Sequence, residues 1–126
     1  MFEMYDTSIS KTDLSSFNDI KDKYSHLENY ISKSRWYDEY KLDSCIAKKG
    51  KKIQKDAENM LEECFDKYLE LLDKAQNCDR KEKNKAVKKY VDRLISEGGV
   101  AVDSMKKIIG EEKTAKLVRE YMYGVI

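Results

Sequence analysis

The chain has 126 residues, 40% of them hydrophobic and 39% charged, and a formal net charge of +1 at pH 7. This length suits one domain with a modest core, and the near-zero net charge excludes a general attraction to nucleic acid or to an anionic membrane. Charged residues exceed the roughly 25% of an average domain, and proline is absent, so the composition predicts charged helices joined by short connections. We therefore expect a single all-α domain over residues 1–126.

The N-terminal region is predicted to begin with an arm, residues 1–10, because these residues show no clear period. The arm either forms a short strand or lies on the helices. A first long helix follows, in which apolar residues recur three or four positions apart. Its apolar positions are Phe17, Ile20, Tyr24, Leu27 and Ile31. After Ile31 the pattern fails, so the helix either turns near residues 32–34 or continues with a changed buried face.

A changed apolar face is expected to run through Leu42, Cys45 and Ile46 and to end at Gly50. Glycine is common just after a helix, where the backbone turns left-handed, and the lysines around Gly50 suit the negative end of a helix dipole. The sequence therefore predicts that this helical region ends at Gly50.

The segment Ile53–Ala75 carries the strongest helical pattern in the chain. Apolar residues recur every three or four positions, acidic residues occupy the opposite side, and no glycine interrupts the run. The apolar face is broad where Leu69, Leu71 and Leu72 follow one another. We therefore predict that this is the core helix and that it packs against neighbours on two sides.

Three further helices are predicted in the C-terminal half. A long helix, Arg80–Glu97, begins at the N-cap Asp79 and ends at Gly98, and two short helices, Ala101–Ile109 and Glu111–Tyr123, close the chain. The predicted architecture is thus a compact all-α bundle of about five helices, three of them long and two short.

No constellation of residues predicts an enzyme. The only histidine, His26, falls on the polar side of the first helix, and neither a Glu-x-x-His pair nor a glycine-rich phosphate loop is present. Cys64 lies on the apolar face of the core helix, where a thiol is expected to be buried and inert. The sequence therefore predicts a non-catalytic protein with no catalytic, cofactor-binding or metal-binding residues.

The three cysteines, at positions 45, 64 and 78, form no C-x-x-C pair and are typical of reduced thiols in the cytoplasm. The acidic N-terminus predicts no secretory signal, and no run of apolar residues is long enough to cross a membrane. Lysine is strongly preferred over arginine, which favours a low-GC bacterial or phage genome. We expect a cytoplasmic protein without membrane partners.

Two basic runs raise the alternative of a nucleic-acid-associated helical protein, because lysines can follow a phosphate backbone. The first run contains Lys48, Lys49, Lys51, Lys52 and Lys55, and the second contains Lys81, Lys85, Lys88, Lys89 and Arg93. The acidic helix between them and the scarcity of arginine argue against this function, and a basic stripe is usually only the solvated face of a helix. The alternative requires both runs to fold onto one surface.

The favoured function is stoichiometric binding to another protein, as an adaptor, an inhibitor or an assembly subunit. Its predicted contact residues are Arg35, Trp36, Tyr37 and Tyr40, which include the sole tryptophan. Trp, Tyr and Arg are enriched at interface hot spots. Equally, Trp36 can close a bundle end or cover a turn, and the sequence leaves these two roles open.

Trp36-Tyr37-Asp38 also resembles the Trp-x-Gly motif of the small helical-hairpin proteins that are partners in type VII secretion. Those proteins have about this length and carry the tryptophan at a turn between two helices. The chain departs from the family by Asp38 in place of glycine, and Tyr121 is followed four positions later by Val125, not by an acid. The resemblance implies a small helical secretion-system partner as a further alternative.

Overall fold

A computed structural model describes residues 1–125, and the protein is predominantly helical, which confirms the predicted fold class. The helices are α1 (Ser16–Lys23), α2 (Gln54–Asp73), α3 (Arg80–Glu97), α4 (Val100–Ile109) and α5 (Glu111–Lys116), and a π-helix (Leu117–Met122) continues α5. The chain divides into two compact units. The first contains Met1–Asp6 and Thr12–Asn77, and the second contains Thr7–Lys11 and the chain from Cys78 onward. The prediction of one domain over residues 1–126 stays a prediction.

Helix α1 is much shorter than predicted. It ends at Lys23, and the next residues form turns in which the Leu27 N–H donates to the Tyr24 carbonyl over 3.1 Å. Tyr24 and Leu27 are nevertheless buried, whereas Ile31 is 88% exposed. The predicted continuation of the first helix to Ile31 is therefore wrong. The apolar spacing is compatible with both structures, because a turn can hold residues three positions apart on one side just as a helix does.

The stretch between α1 and α2 is also not α-helical, contrary to the predicted face through Leu42 and Ile46. Ile46 instead exchanges two backbone hydrogen bonds with Phe2 of the N-terminal arm, at 2.8 and 2.9 Å. A second bridge joins Tyr5 to Lys41. The short strands β1 (Glu28–Asn29) and β2 (Lys48–Lys49) pair antiparallel. Residues 1–10 form no regular strand. The arm makes two isolated bridges, and Phe2 and Met4 pack partly buried against the core, which is closer to the predicted arm that lies on the helices.

Gly50 ends no helix, so the predicted C-cap at this position is wrong. It follows β2 in the connection to α2, and the residue with left-handed backbone angles is Lys52, at φ 61°. Trp36 lies in a 3-10 helix, Trp36–Tyr40, within the same non-α stretch. In residues 1–125 it is therefore not placed at a turn between two long helices, as the secretion-partner resemblance implied.

The core of the first unit forms where α1 packs against α2. Its buried residues are Phe17, Ile20, Tyr24, Leu27, Ile46, Met60 and Cys64. Of these, Met60 and Cys64 come from α2, and the partly buried Ile53 and Leu71 pack against this core. The predicted bounds of the core helix are confirmed to within two residues at each end. The predicted burial of α2 on two sides is wrong, because much of its apolar surface stays exposed.

The second unit follows the predicted boundaries closely. The Asp79 carboxylate caps α3 by accepting hydrogen bonds from the backbone N–H groups of Lys81 and Glu82, both at 2.9 Å. Gly98 and Gly110 end α3 and α4 with φ angles of 82° and 85°, which an L side chain rarely adopts. The buried residues of this unit include Tyr90, Val91, Val102, Thr114, Val118 and Val125.

Candidate functional site

The most prominent surface feature of the first unit is an apolar face along α2. Leu61, Phe65, Leu69 and Leu72 are 38%, 55%, 42% and 51% exposed, respectively. Spacings of four, four and three residues place these side chains on one side of the helix. At 1.5 Å per residue they extend over about 16 Å, or three helical turns. We call these four residues the α2 apolar face.

The sequence of α2 contains two parallel series of apolar residues, one directed toward the core and one exposed. Each buried or partly buried residue of the first series is followed directly in the sequence by an exposed residue of the second. The adjacent pairs are Met60–Leu61, Cys64–Phe65, Tyr68–Leu69 and Leu71–Leu72. One residue turns an α-helix by about 100°, so the second series points away from the core beside the first. The doubled pattern gives α2 one face for its own core and a second face in contact with solvent.

Acidic side chains flank the α2 apolar face on the side away from the core. Glu58, Glu62, Asp66 and Asp73 all lie there and are exposed. Within residues 1–125, Glu62, Asp66 and Asp73 make no ion pair and no side-chain hydrogen bond, while Glu58 accepts from the Gln54 amide at 2.9 Å. Seven acids and two lysines give α2 a formal charge of −5. The exposed edge of the face is therefore strongly negative.

Glu63, on a different side of α2, has partners within the unit. It forms an ion pair with Lys23 at 2.5 Å and accepts a hydrogen bond from the Tyr24 hydroxyl at 2.9 Å. The hydrogen bond from Lys23 holds the pKa of Glu63 below its usual value, despite the opposing effect of burial. This carboxylate ties α2 to α1 and is already engaged, unlike the acids beside the α2 apolar face.

The predicted contact cluster around Trp36 is brought together only in part. The rings of Trp36 and Tyr37 meet edge to face at 5.4 Å, those of Trp36 and Tyr40 at 6.1 Å, and that of Tyr37 meets Tyr5 at 5.9 Å. All three predicted aromatic residues are half-buried, whereas the Arg35 side chain is exposed. Much of the surface of these rings is therefore covered by contacts with one another and with the N-terminal arm.

An ion cluster beside these rings ties the arm to the same segment. The Lys41 ammonium lies 2.8 Å from Glu3 and 3.0 Å from Asp38, and it stands 6.0 Å from the centre of the Tyr37 ring. The Tyr5 hydroxyl donates a 2.5 Å hydrogen bond to Glu3. Burial acts to raise the pKa of Glu3, but the hydrogen bonds from Lys41 and Tyr5 outweigh it and lower this pKa below 4.5.

Glu3→Gln is expected to lower the free energy of unfolding by about 1 kcal/mol near pH 7, because it weakens a partly buried charged hydrogen-bond pair. A lowered carboxyl pKa stabilises the fold above the unfolded-state value of 4.5 and loses this effect as the pH falls through the folded-state value. The difference between variant and wild type, measured in urea titrations at pH 7 and at a pH well below 4.5, should therefore be smaller at the lower pH.

Glu28→Gln serves as the matched control for this change, since Glu28 pairs with Lys49 at 2.8 Å but is 69% exposed. It should cost at most a few tenths of a kcal/mol. An equal loss for Glu3→Gln at both pH values would show that the effect comes from packing and not from the ionised carboxylate.

The two basic runs lie in different units. Lys48 and Lys49 form β2, Lys51 and Lys52 follow it, and Lys55 stands in the first turn of α2. Lys81, Lys85, Lys88, Lys89 and Arg93 lie on α3, as the sequence predicts. Several are engaged: Lys48 donates to Asn29, Lys49 pairs with Glu28, and Lys88 pairs with Asp92. The remaining lysines, namely 51, 52, 55, 81, 85 and 89, make no ion pair or side-chain hydrogen bond within residues 1–125.

A shallow cleft of about 490 Å³ in the first unit is lined by Lys21, Lys41 and Lys48, among others. These three lysines already have hydrogen-bond or ion-pair partners within the protein. Lys21 donates to the Asp43 carbonyl, Lys48 donates to the Leu27 carbonyl at 3.2 Å, and Lys41 pairs with two acids. The cleft is therefore better explained by local structure than by an anionic ligand.

The two groups considered for chemistry, Cys64 and His26, lie in different environments. Cys64 is fully buried, and burial raises the pKa of its thiol to about 11. At pH 7 about one molecule in ten thousand would carry the thiolate, given that pKa. His26 is exposed, and its Nδ1 lies 3.2 Å from the Lys23 carbonyl. No group of three or more potential metal ligands occurs within residues 1–125.

Comparison with protein-family models, with curated proteins and with solved structures finds no match to this chain. No helix of residues 1–125 has the length and hydropathy needed to span a membrane.

The sequence predicts that the residues of the α2 apolar face are buried in the core. The signal for this face in the sequence is the series of adjacent apolar pairs along α2. A helix that buries one face needs only one series of apolar residues, and α2 has two.

Proposed function

We propose that this protein is a non-catalytic module that binds a larger protein stoichiometrically through the α2 apolar face, as an adaptor, an inhibitor or an assembly subunit. A bacterial or phage protein of the cytoplasm fits its composition best. The observation that supports the proposal is the row of four half-exposed large apolar side chains on one regular helix. Contiguous exposed apolar patches on soluble proteins commonly mark interaction sites.

Burial of the α2 apolar face against a partner is energetically favourable. Fully burying a leucine or phenylalanine side chain contributes about 1.5–3 kcal/mol relative to leaving it in water. Phe65, at 55% exposure, and Leu72, at 51%, each retain about half of that gain for a partner. A helix that displays anchors on successive turns suits the binding mode in which one amphipathic helix packs against another. Phe65, the largest and most exposed of the four, is the expected hot spot.

The test uses the source-cell lysate and a matched pair of variants. Phe65→Ser should abolish capture of the partner or weaken its affinity by about thirtyfold, because hot-spot truncation costs about 2 kcal/mol or more. Ile31→Ser is the control, since Ile31 is an 88% exposed apolar residue outside α2. Captured proteins are identified by mass spectrometry, and the stoichiometry with the purified partner is measured by calorimetry. Equal capture by Phe65→Ser and wild type would contradict the proposal.

Nucleic-acid binding remains the second candidate, favoured by the lysines without partners. With few arginines and a net charge of +1, any such binding should be weak near physiological ionic strength. Raising the salt from about 50 to about 200 mM should lower the affinity for a DNA or RNA duplex at least tenfold, as measured by fluorescence anisotropy. Tight, sequence-selective binding that survives the higher salt would place this function above protein binding.

A further inference from the structure

We infer that the occupant of the α2 apolar face is an amphipathic helix of another protein that carries lysine or arginine along one edge of its apolar stripe. The inference rests on the proposed function and specifies its partner. The face is about three turns long, which matches a helix packed alongside α2 with anchors at every third or fourth residue.

The charge of α2 determines which helix fits. Glu62, Asp66 and Asp73 line only the outer edge of the face and have no partners within residues 1–125. Opposite charges at the rim of an interface steer association and fix the register, whereas like charges there are unfavourable. A partner with cations on the matching edge therefore satisfies these carboxylates, and one with acids does not.

Other occupants fit less well. A second copy that presented its own α2 would set two helices of charge −5 against each other. The basic helix α3 of a second copy offers cations, but its residues Tyr90 and Val91 are already buried in its own unit. Nucleic acids and anionic membranes carry phosphates, which the carboxylates repel. The chemistry of the face thus favours a basic helix over each of these occupants.

The experiment uses two synthetic helical peptides with the same stripe of leucine and phenylalanine, one flanked by lysines and the other by glutamates. The lysine peptide should bind one to one and about tenfold more tightly than the glutamate peptide at low salt, and added salt should reduce this preference. The double variant Glu62→Lys/Asp66→Lys should reverse the preference. Glu70→Lys is the control, because Glu70 pairs with Lys67 on another side of α2.

The outcomes separate this inference from the proposed function. Equal binding of both peptides, or binding of neither, would overturn the basic-helix partner. The proposed function is tested separately, by whether capture of the partner depends on Phe65. Self-association in sedimentation experiments that Phe65→Ser abolishes would identify a second copy as the occupant and overturn the inference. Phe65-dependent binding to vesicles of anionic lipid or to duplex RNA would also overturn it.

Discussion

Replacing Phe17 by alanine is expected to lower the free energy of unfolding by about 3–5 kcal/mol, the largest loss from any single substitution proposed for this chain. Phe17 is fully buried in α1, and its ring stacks on Phe2 of the N-terminal arm at a centroid distance of 5.7 Å. Truncation leaves a cavity where α1 and the arm meet the rest of the core. Close-packed interiors relax only partly around such a cavity, so the lost contacts are not recovered.

Phe65→Ala is the matched control, because it makes the same chemical change on a side chain that is 55% exposed. It should cost about 1 kcal/mol or less, since much of the ring already contacts water. Urea unfolding followed by circular dichroism gives both values from the transition midpoints. Similar losses for the two variants would mean that the α2 apolar face is buried in the folded protein, and would remove the basis for the binding proposal.

Helices α2 and α3 were predictable because their determinants are local. The predicted bounds Arg80–Glu97 match α3, since Asp79 supplies the N-cap and Gly98 the left-handed residue after the last turn. For α2, a long uninterrupted run of strong helix formers predicts both ends of the helix to within two residues. Caps and periodicity act over a few residues and can be read directly from the sequence.

The region between α1 and α2 could not be predicted in this way. Its structure depends on pairing with the N-terminal arm, in which Ile46 bonds to Phe2 across more than forty positions of the chain. Nothing local to Leu42 or Ile46 signals that partner. The same limit applies to Tyr24 and Leu27, whose spacing predicted their burial correctly but not the turns that hold them.

The α2 apolar face illustrates a different limit. The sequence shows that residues such as Leu71 and Leu72 are apolar, but which of them is covered depends on where α1 packs. Leu71 lies against the core, whereas Leu72, one position later, is half-exposed. The sequence alone does not show that packing and therefore predicts that both are buried. The sequence therefore located the binding candidate in the Trp36 cluster, and the structure adds a face that is more exposed.

Trp36→Ala decides between the two roles that the sequence left open for this residue, and its expected effect is on stability. Complete truncation of a core tryptophan costs about 3–5 kcal/mol, and a half-buried one should cost about 2 kcal/mol. The ring makes edge contacts with Tyr37 and Tyr40, at 5.4 and 6.1 Å, and each such aromatic pair contributes about 0.5–1.5 kcal/mol beyond its buried area.

Tyr37→Ala should show the same pattern as Trp36→Ala, since Tyr37 joins the cluster to Tyr5 of the arm through a ring contact at 5.9 Å. We expect both variants to melt at lower temperature while their affinity for the captured partner, measured below the melting transition, changes by less than about threefold. Tyr30→Ala is the control for an exposed tyrosine, at 49% exposure. If Trp36→Ala instead weakened partner binding about thirtyfold or more at unchanged stability, the Trp36 cluster would be the binding surface and the α2 apolar face would lose that role.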